Sequence, residues 1–243
     1  MSRNFELMTQ LEIEGGGMRD HSAPVMDNHA AEILSRQGSD AGGEEMLRLI
    51  QRIFLSGNGG APRQVVFCGV DSENESSSVC GRAGRTLAAN SSRPVCLVDA
   101  NLRSPRLSKM FEVVWAADPP ASYDSIREQC VNIEGNLWLA GPNILAHKSR
   151  ILLPPDELRT RLEQLRDTFE YMLIDAPGTS VCGDAQLLGQ VADAAILVIE
   201  ASSTRRMTAR RAKENLEAGG VRLLGTVLNN RSFPIPESLY KRL

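Results

Sequence analysis

The 243-residue sequence predicts an α/β domain with a doubly wound, mostly parallel sheet and helices on both faces. Three observations carry that expectation. Short apolar runs rich in β-branched residues recur along the chain, amphipathic helical stretches alternate with them, and several runs end in a carboxylate or an amide. Unbroken apolar runs suit strands covered on both faces, and their alternation with helices implies βαβ units.

The chain up to about residue 41 stands apart. It holds Gly15-Gly16-Gly17, no sustained apolar period, and seven acidic against three basic side chains. Such a segment buries too little apolar surface to offset the entropy of ordering it. Residues 1–41 therefore read as a flexible acidic tail and 42–243 as one domain, with a short helix over Phe5–Ile13 as the alternative for the tail's start. From Glu44 to Leu55, Met46, Leu47, Ile50, Ile53 and Phe54 fall at helical spacing, and Gly57-Asn58-Gly59-Gly60 ends the pattern. Strands are expected at Gln64–Gly69, Val95–Asp99, Tyr171–Asp175, Ala194–Glu200 and Leu223–Asn229, with Asn136–Ala140 as a weaker sixth. Helices are expected between them at Ser77–Asn90, Pro155–Phe169, Asp184–Val191 and Thr204–Ala218.

Charged residues make up 23% of the chain and the formal net charge is −3, which excludes a global footprint for nucleic acid or a membrane surface. No run approaches the ~20 apolar residues that span a bilayer, and the start Met-Ser-Arg-Asn-Phe-Glu lacks the cationic and apolar regions of a secretory signal. A cytoplasmic location is the expectation. The five cysteines have no metal-like spacing, and Cys68 and Cys96 lie within apolar runs as buried thiols.

In open α/β sheets, ligands bind where the strands end. The first expected strand ends in Gly69-Val-Asp71-Ser-Glu73-Asn-Glu75-Ser76-Ser77-Ser78, running into a helix. Others end in Asp99-Ala-Asn101-Leu-Arg103-Ser-Pro-Arg106, in Asp175-Ala-Pro-Gly178 and in Asn229-Asn230-Arg231. A carboxylate closing an apolar strand is costly unless it faces a polar cleft or a cation. One such Asp is more often a cap or a turn residue; two on strands of one sheet point to a ligand cleft.

These strand ends resemble motifs of the bacterial tyrosine kinases of exopolysaccharide and capsule synthesis, P-loop proteins related to MinD and ParA. Asp99-Ala-Asn-Leu-Arg-Ser-Pro-Arg is similar to their second acidic motif, Leu-Ile-Asp175-Ala-Pro to their Walker B strand, and Leu-Gly-Thr-Val-Leu-Asn229-Asn-Arg to their C-terminal segment. The similarity runs from about Glu44 to the last residue. It implies ATP and Mg²⁺ as cofactors, Asp99 and Asp175 as catalytic and metal-binding carboxylates, and Ser77 as a third metal position. It further implies Gly69, Ser76, Ser77, Ser78, Arg103 and Asn229 as nucleotide contacts, Asn229 at the adenine. Asn101 stands where the family has a second Asp. The Glu45–Arg52 stretch partly resembles the family's self-association motif, with Gln51 where an Arg is expected. The implied partner is a membrane chain-length regulator (polysaccharide co-polymerase), which would recruit the domain to the inner face of the membrane.

The phosphate loop departs from the family. A Walker A loop, GxxxxGK[ST], surrounds phosphates with backbone N–H groups, bridges them with Lys and binds Mg²⁺ through its hydroxyl. Aligned from Gly69, the segment has Glu75 at the second Gly, Ser76 at the Lys and Ser77 at the Ser/Thr. Glu75 would repel phosphate by up to roughly 4 kcal/mol for charges ~4 Å apart at an effective dielectric of ~20. The first Lys of the chain is Lys109, so no ammonium replaces the missing one locally. Ser76, Ser77 and Ser78 either cap the helix or offer a weak anion site at its N-terminus. Tyr240 is the only C-terminal candidate substrate tyrosine; Tyr171 is expected in the core. The sequence thus points to a kinase-like pseudoenzyme with an interaction role, against a working tyrosine kinase or ParA/MinD-like ATPase with an atypical loop.

Overall fold

The computed structural model describes residues 4–8, 41–55, 60–71, 75–115, 125–146, 151–201 and 203–231. Among the described residues, eight strands form one sheet: β1 (Asn4–Met8), β2 (Gln64–Gly69), β3 (Val95–Asp99), β4 (Cys130–Glu134), β5 (Leu137–Ala140), β6 (Tyr171–Ala176), β7 (Ala194–Glu200) and β8 (Leu223–Arg231). Their order is β1-β8-β7-β2-β6-β3-β5-β4. The six inner strands run parallel, and the two edges, β1 on β8 and β4 on β5, are antiparallel. The doubly wound, mostly parallel sheet expected from the sequence is therefore present.

Six α-helices among the described residues cover it: α1 (Ala41–Ile50), α2 (Ser76–Ala89), α3 (Arg106–Met110), α4 (Pro155–Thr168), α5 (Asp184–Val191) and α6 (Arg206–Ala218). Two apolar clusters show how the faces are divided. Met46, Ile50 and Phe54 of the first helical segment, Val79, Ala83 and Leu87 of α2, and Leu107 of α3 pack on one face of the sheet. Leu158, Leu162 and Leu165 of α4, Leu188 of α5, and Ala209 and Leu216 of α6 pack on the other. Each fully buried Leu contributes about 1.5–3 kcal/mol over its exposed state. Gly84 lets α2 approach closely: a Cβ there would lie 2.6 Å from a Leu97 methyl on β3. None of the helices among the described residues is long and apolar enough to cross a membrane.

The differences from expectation have local causes. Asn4–Met8 pairs with β8, so residues 5–8 of the segment considered for a helix are strand; residues 9–13 of that segment lie outside the described residues. The pairing comes from the open edge of β8, which no local pattern announces. β4 was not expected because it is a half-exposed edge strand, its burial restricted to Cys130 and, partly, Ile133. The first helix continues past α1 as a π-helical turn over Gln51–Leu55, which keeps Ile53 and Phe54 buried. Cys68 and Cys96 are buried thiols as expected, and burial together with the Asp175 charge pushes the Cys68 thiol up to about 12.

Candidate functional site

β3 and β6 lie side by side, and their register places Asp99 directly opposite Asp175 where both strands end. Both residues are fully buried. One oxygen of Asp99, Oδ2, accepts hydrogen bonds from the Ser108 N–H at 2.9 Å and the Ser108 hydroxyl at 2.7 Å. The Ser108 Oγ in turn accepts from the Trp115 indole N–H at 2.8 Å. Asp99 therefore ties the first turn of α3 to the sheet with one oxygen, while Oδ1 receives no hydrogen bond. Neither oxygen of Asp175 receives one of ordinary geometry.

Three buried carboxylate oxygens on neighbouring strands that lack a hydrogen bond of ordinary geometry need a proton or a cation. Burial pushes the Asp99 carboxyl above its ordinary range, with the Ser108 hydroxyl and N–H pulling the other way. Burial raises Asp175 further; the adjacent Ser77 hydroxyl counteracts this, the Asp99 charge adds to it, and the Arg106 charge opposes it. Hard oxygens of this kind suit a divalent cation, and Mg²⁺ commonly takes one or two carboxylates, leaving its other positions to water and phosphate. Asp99, Asp175 and the Ser77 hydroxyl are the residues that would hold it. The set stops there: no group of three or more His, Cys, Asp or Glu side chains is arranged for a metal among the described residues.

The segment aligned with the phosphate loop follows β2, which ends at Gly69, and precedes α2, which begins at Ser76. Ser76 and Ser77 are buried in the first helical turn, Ser78 is half-buried, and Glu75 precedes the helix. Gly69 to Ser77 spans nine residues against the eight positions of GxxxxGK[ST]. A register with Glu75 at the second Gly therefore begins at Val70, which corrects the alignment from Gly69. In that register Ser76, at the Lys position, opens the helix. Residues 72–74, including the acid Glu73, lie outside the described residues.

Both flanks of this loop are held. On one side, the segment after β6 lies against its start: the Thr179 N–H donates to the Gly69 carbonyl at 2.9 Å and the Ser180 N–H to the Val70 carbonyl at 3.0 Å. That approach requires glycine at 178, where a Cβ would fall 2.3 Å from the Asp71 carbonyl oxygen. On the other side, Glu200, a residue only 6% exposed, closes β7. Its Oε1 accepts from the Glu75 N–H at 3.2 Å and from Asn229 Nδ2 at 2.7 Å, and its Oε2 from Asn230 Nδ2 at 2.9 Å. Asn230 reaches it from the left-handed conformation (φ 57°), which Asn tolerates better than most residues.

The structure thus brings Asp99, Asp175 and Ser77 together and places Asn229 beside the end of the phosphate loop. Arg103 is exposed in the loop between β3 and α3, and its charge is felt at Cys182; the arginine that acts on Asp175 is Arg106. Tyr171 is half-buried against the Phe54 ring at a centroid distance of 5.6 Å, and Tyr240 lies outside the described residues. Sequence reasoning missed Ser108, Trp115 and Glu200. Glu200 carried the same signal as Asp99 and Asp175, a carboxylate ending an apolar strand.

No family model matches the chain. Curated relatives do. The tyrosine-protein kinase YwqD of Bacillus subtilis is 28% identical over 186 residues, covering 70% of this chain and 78% of YwqD. The tyrosine-protein kinase CpsD of Streptococcus pneumoniae is 33% identical over 104 residues, 43% of this chain and 45% of CpsD. The succinoglycan biosynthesis transport protein ExoP of Rhizobium meliloti is 22% identical over 227 residues, 88% of this chain and 28% of ExoP. Among solved structures, the kinase domain of the Escherichia coli tyrosine kinase ETK superposes with a TM-score of 0.65 at 18% identity, covering 81% of this chain and 80% of that one. MinD of Aquifex aeolicus superposes with a TM-score of 0.55 at 17% identity, over 74% and 72%. The fold is the one that these kinase domains share with MinD-type P-loop proteins.

Proposed function

We propose that this chain, a relative of the bacterial tyrosine-protein kinases, is a kinase-like regulatory protein of exopolysaccharide or capsule synthesis whose own use of ATP is impaired. One observation carries the reading. The loop that should grip phosphate presents Glu75 and the buried Ser76 where the family uses Gly and Lys, and the Glu75 N–H is already given to Glu200. Phosphoryl transfer depends on positioning and on cations around the transferring group, so losing the loop Lys removes a principal source of catalysis. In this reading Asp99, Asp175 and Asn229 persist as scaffold, and residues 1–41 are a flexible acidic tail. The partner in this reading is a membrane chain-length regulator that brings the domain to the inner face of the membrane; the support is the relative ExoP, a succinoglycan biosynthesis transport protein. On α1 and its extension, Glu45 is buried, while Arg48 is exposed and pairs with Glu44 at 3.5 Å; self-association through the Glu45–Arg52 stretch belongs to the same proposal.

A thermal-shift titration with MgATP tests the proposal. The wild type is expected to move by less than about 1 °C and the Glu75→Gly/Ser76→Lys variant by several degrees, as mass action requires when only the variant binds. Wild-type autophosphorylation or ATP turnover that disappears in Asp175→Ala would refute it.

A second reading, an active tyrosine kinase or MinD/ParA-like ATPase with an atypical loop, is favoured by the three buried oxygens of Asp99 and Asp175 that lack a hydrogen bond of ordinary geometry, which a cation would satisfy. Calorimetry showing no heat of binding at millimolar MgATP eliminates that reading.

A further inference from the structure

We infer that Glu200 is an internal counter-anion of the phosphate loop, occupying a backbone N–H donor that a phosphate ligand would otherwise take. The inference deepens the proposed impairment of ATP use and rests on that reading only for the identity of the loop.

Donors at the start of a helix after a glycine-type loop are where phosphate oxygens bind, because the free N–H groups and the helix dipole favour an anion there. In this chain the N–H that precedes α2, that of Glu75, donates to a carboxylate supplied by the protein itself. That carboxylate comes from the end of β7, the neighbour of β2 in the sheet, so its position is set by strand pairing and not by the loop. Two side-chain amides of β8, Asn229 and Asn230, hold it from the far side, one on each oxygen. A carboxylate only accepts hydrogen bonds, so both amides must turn their NH₂ groups toward it. Its own backbone is fixed as well: the Glu200 N–H donates to the Thr204 hydroxyl at 3.2 Å, and the Thr204 N–H to the Glu200 carbonyl at 3.0 Å.

The result is a charge-assisted tie from β8 through β7 to the mouth of α2. A polyphosphate approaching this point meets a donor already in use and a negative charge that is nearly sealed from solvent. Glu75 and Glu200 therefore oppose phosphate in different ways: Glu75 occupies the position of a glycine, and Glu200 holds the N–H of that same residue. Restoring Gly and Lys in the loop leaves the second obstacle in place.

The test compares wild type with Glu200→Ala and with Glu200→Gln, which keeps the volume and removes the charge. Amide hydrogen exchange at Glu75 is followed by NMR, and binding of inorganic tripolyphosphate by calorimetry, on the full chain. In Glu200→Ala the Glu75 amide is expected to exchange about tenfold faster or more as the tie is lost. Tripolyphosphate is expected to bind at least about tenfold more tightly in both variants, and Glu200→Ala added to Glu75→Gly/Ser76→Lys should tighten MgATP by a similar factor. Circular dichroism identifies which variants are folded. Unchanged Glu75 exchange in folded Glu200→Ala, or unchanged tripolyphosphate affinity in either folded variant, overturns the inference. The proposed impairment fails separately, by ATP turnover in the wild type.

Discussion

Asp193 immediately precedes β7 and Asp175 lies near the end of β6, so the two carboxylates stand at opposite ends of one sheet, in opposite states. Asp193 is surrounded by donors. Its Oδ2 accepts the N–H groups of Arg63 at 2.8 Å and Gln64 at 2.9 Å, and Arg166 pairs with both of its oxygens. Burial alone would raise its pKa, but the Arg166 guanidinium and the two N–H groups outweigh burial and hold it below the ordinary range. Asp175 is more deeply buried, faces Asp99 across the strand pair and has no hydrogen-bond donor of ordinary geometry. The strand-start end of the sheet is built for stability. The strand-finish end keeps unmatched charge that only a ligand, a cation or a proton can relieve, the usual signature of a binding site.

That contrast can be broken in three places. The largest effect is expected at the cleft, where backbone and not side chain is matched: Gly178→Ala should cost about 3 kcal/mol in urea unfolding, because the new Cβ meets the Asp71 carbonyl at 2.3 Å and main chain must move. A cost below about 0.5 kcal/mol would mean the two loops are not locked together.

Next is Asp193→Ala, expected to cost about 2 kcal/mol at neutral pH after allowing for partial solvent screening of the Arg166 pair. Because the folded-state pKa is depressed, this stability is present above the ordinary Asp range and is lost as pH falls through the folded value. The gap between wild type and variant should therefore close in acid.

The smallest effect has the opposite sign. Asp175→Asn should raise stability by about 1 kcal/mol at neutral pH, read as a higher Tm without added metal, since it removes a buried charge beside Asp99. Here the folded-state pKa is raised, so the wild type gains stability as pH falls through that value and the advantage of the variant shrinks. A variant less stable than wild type at neutral pH would show that Asp175 is structurally matched after all.

Much of the architecture was legible because the signals are local. The runs at Gln64–Gly69, Val95–Asp99 and Ala194–Glu200 match β2, β3 and β7 residue for residue, and Asp184–Val191 matches α5. Buried parallel strands announce themselves as unbroken β-branched runs, and their final residues expose the cleft. The edges were not legible, since β1 and β4 owe their existence to unpaired neighbours more than to their own composition.

By itself the sequence determined the parallel inner strands, the carboxylates near the ends of β3 and β6, and the presence of Glu75 and Ser76 between β2 and α2. Tertiary structure alone decided that Asp99 spends one oxygen on Ser108, that Arg106 rather than Arg103 acts on Asp175, and that Glu200 takes the Glu75 N–H. The physical reason is range. Apolar periodicity and helix starts are set by neighbours within a turn or a strand, whereas a hydrogen bond between residues 75 and 200 exists only once β2 and β7 have paired.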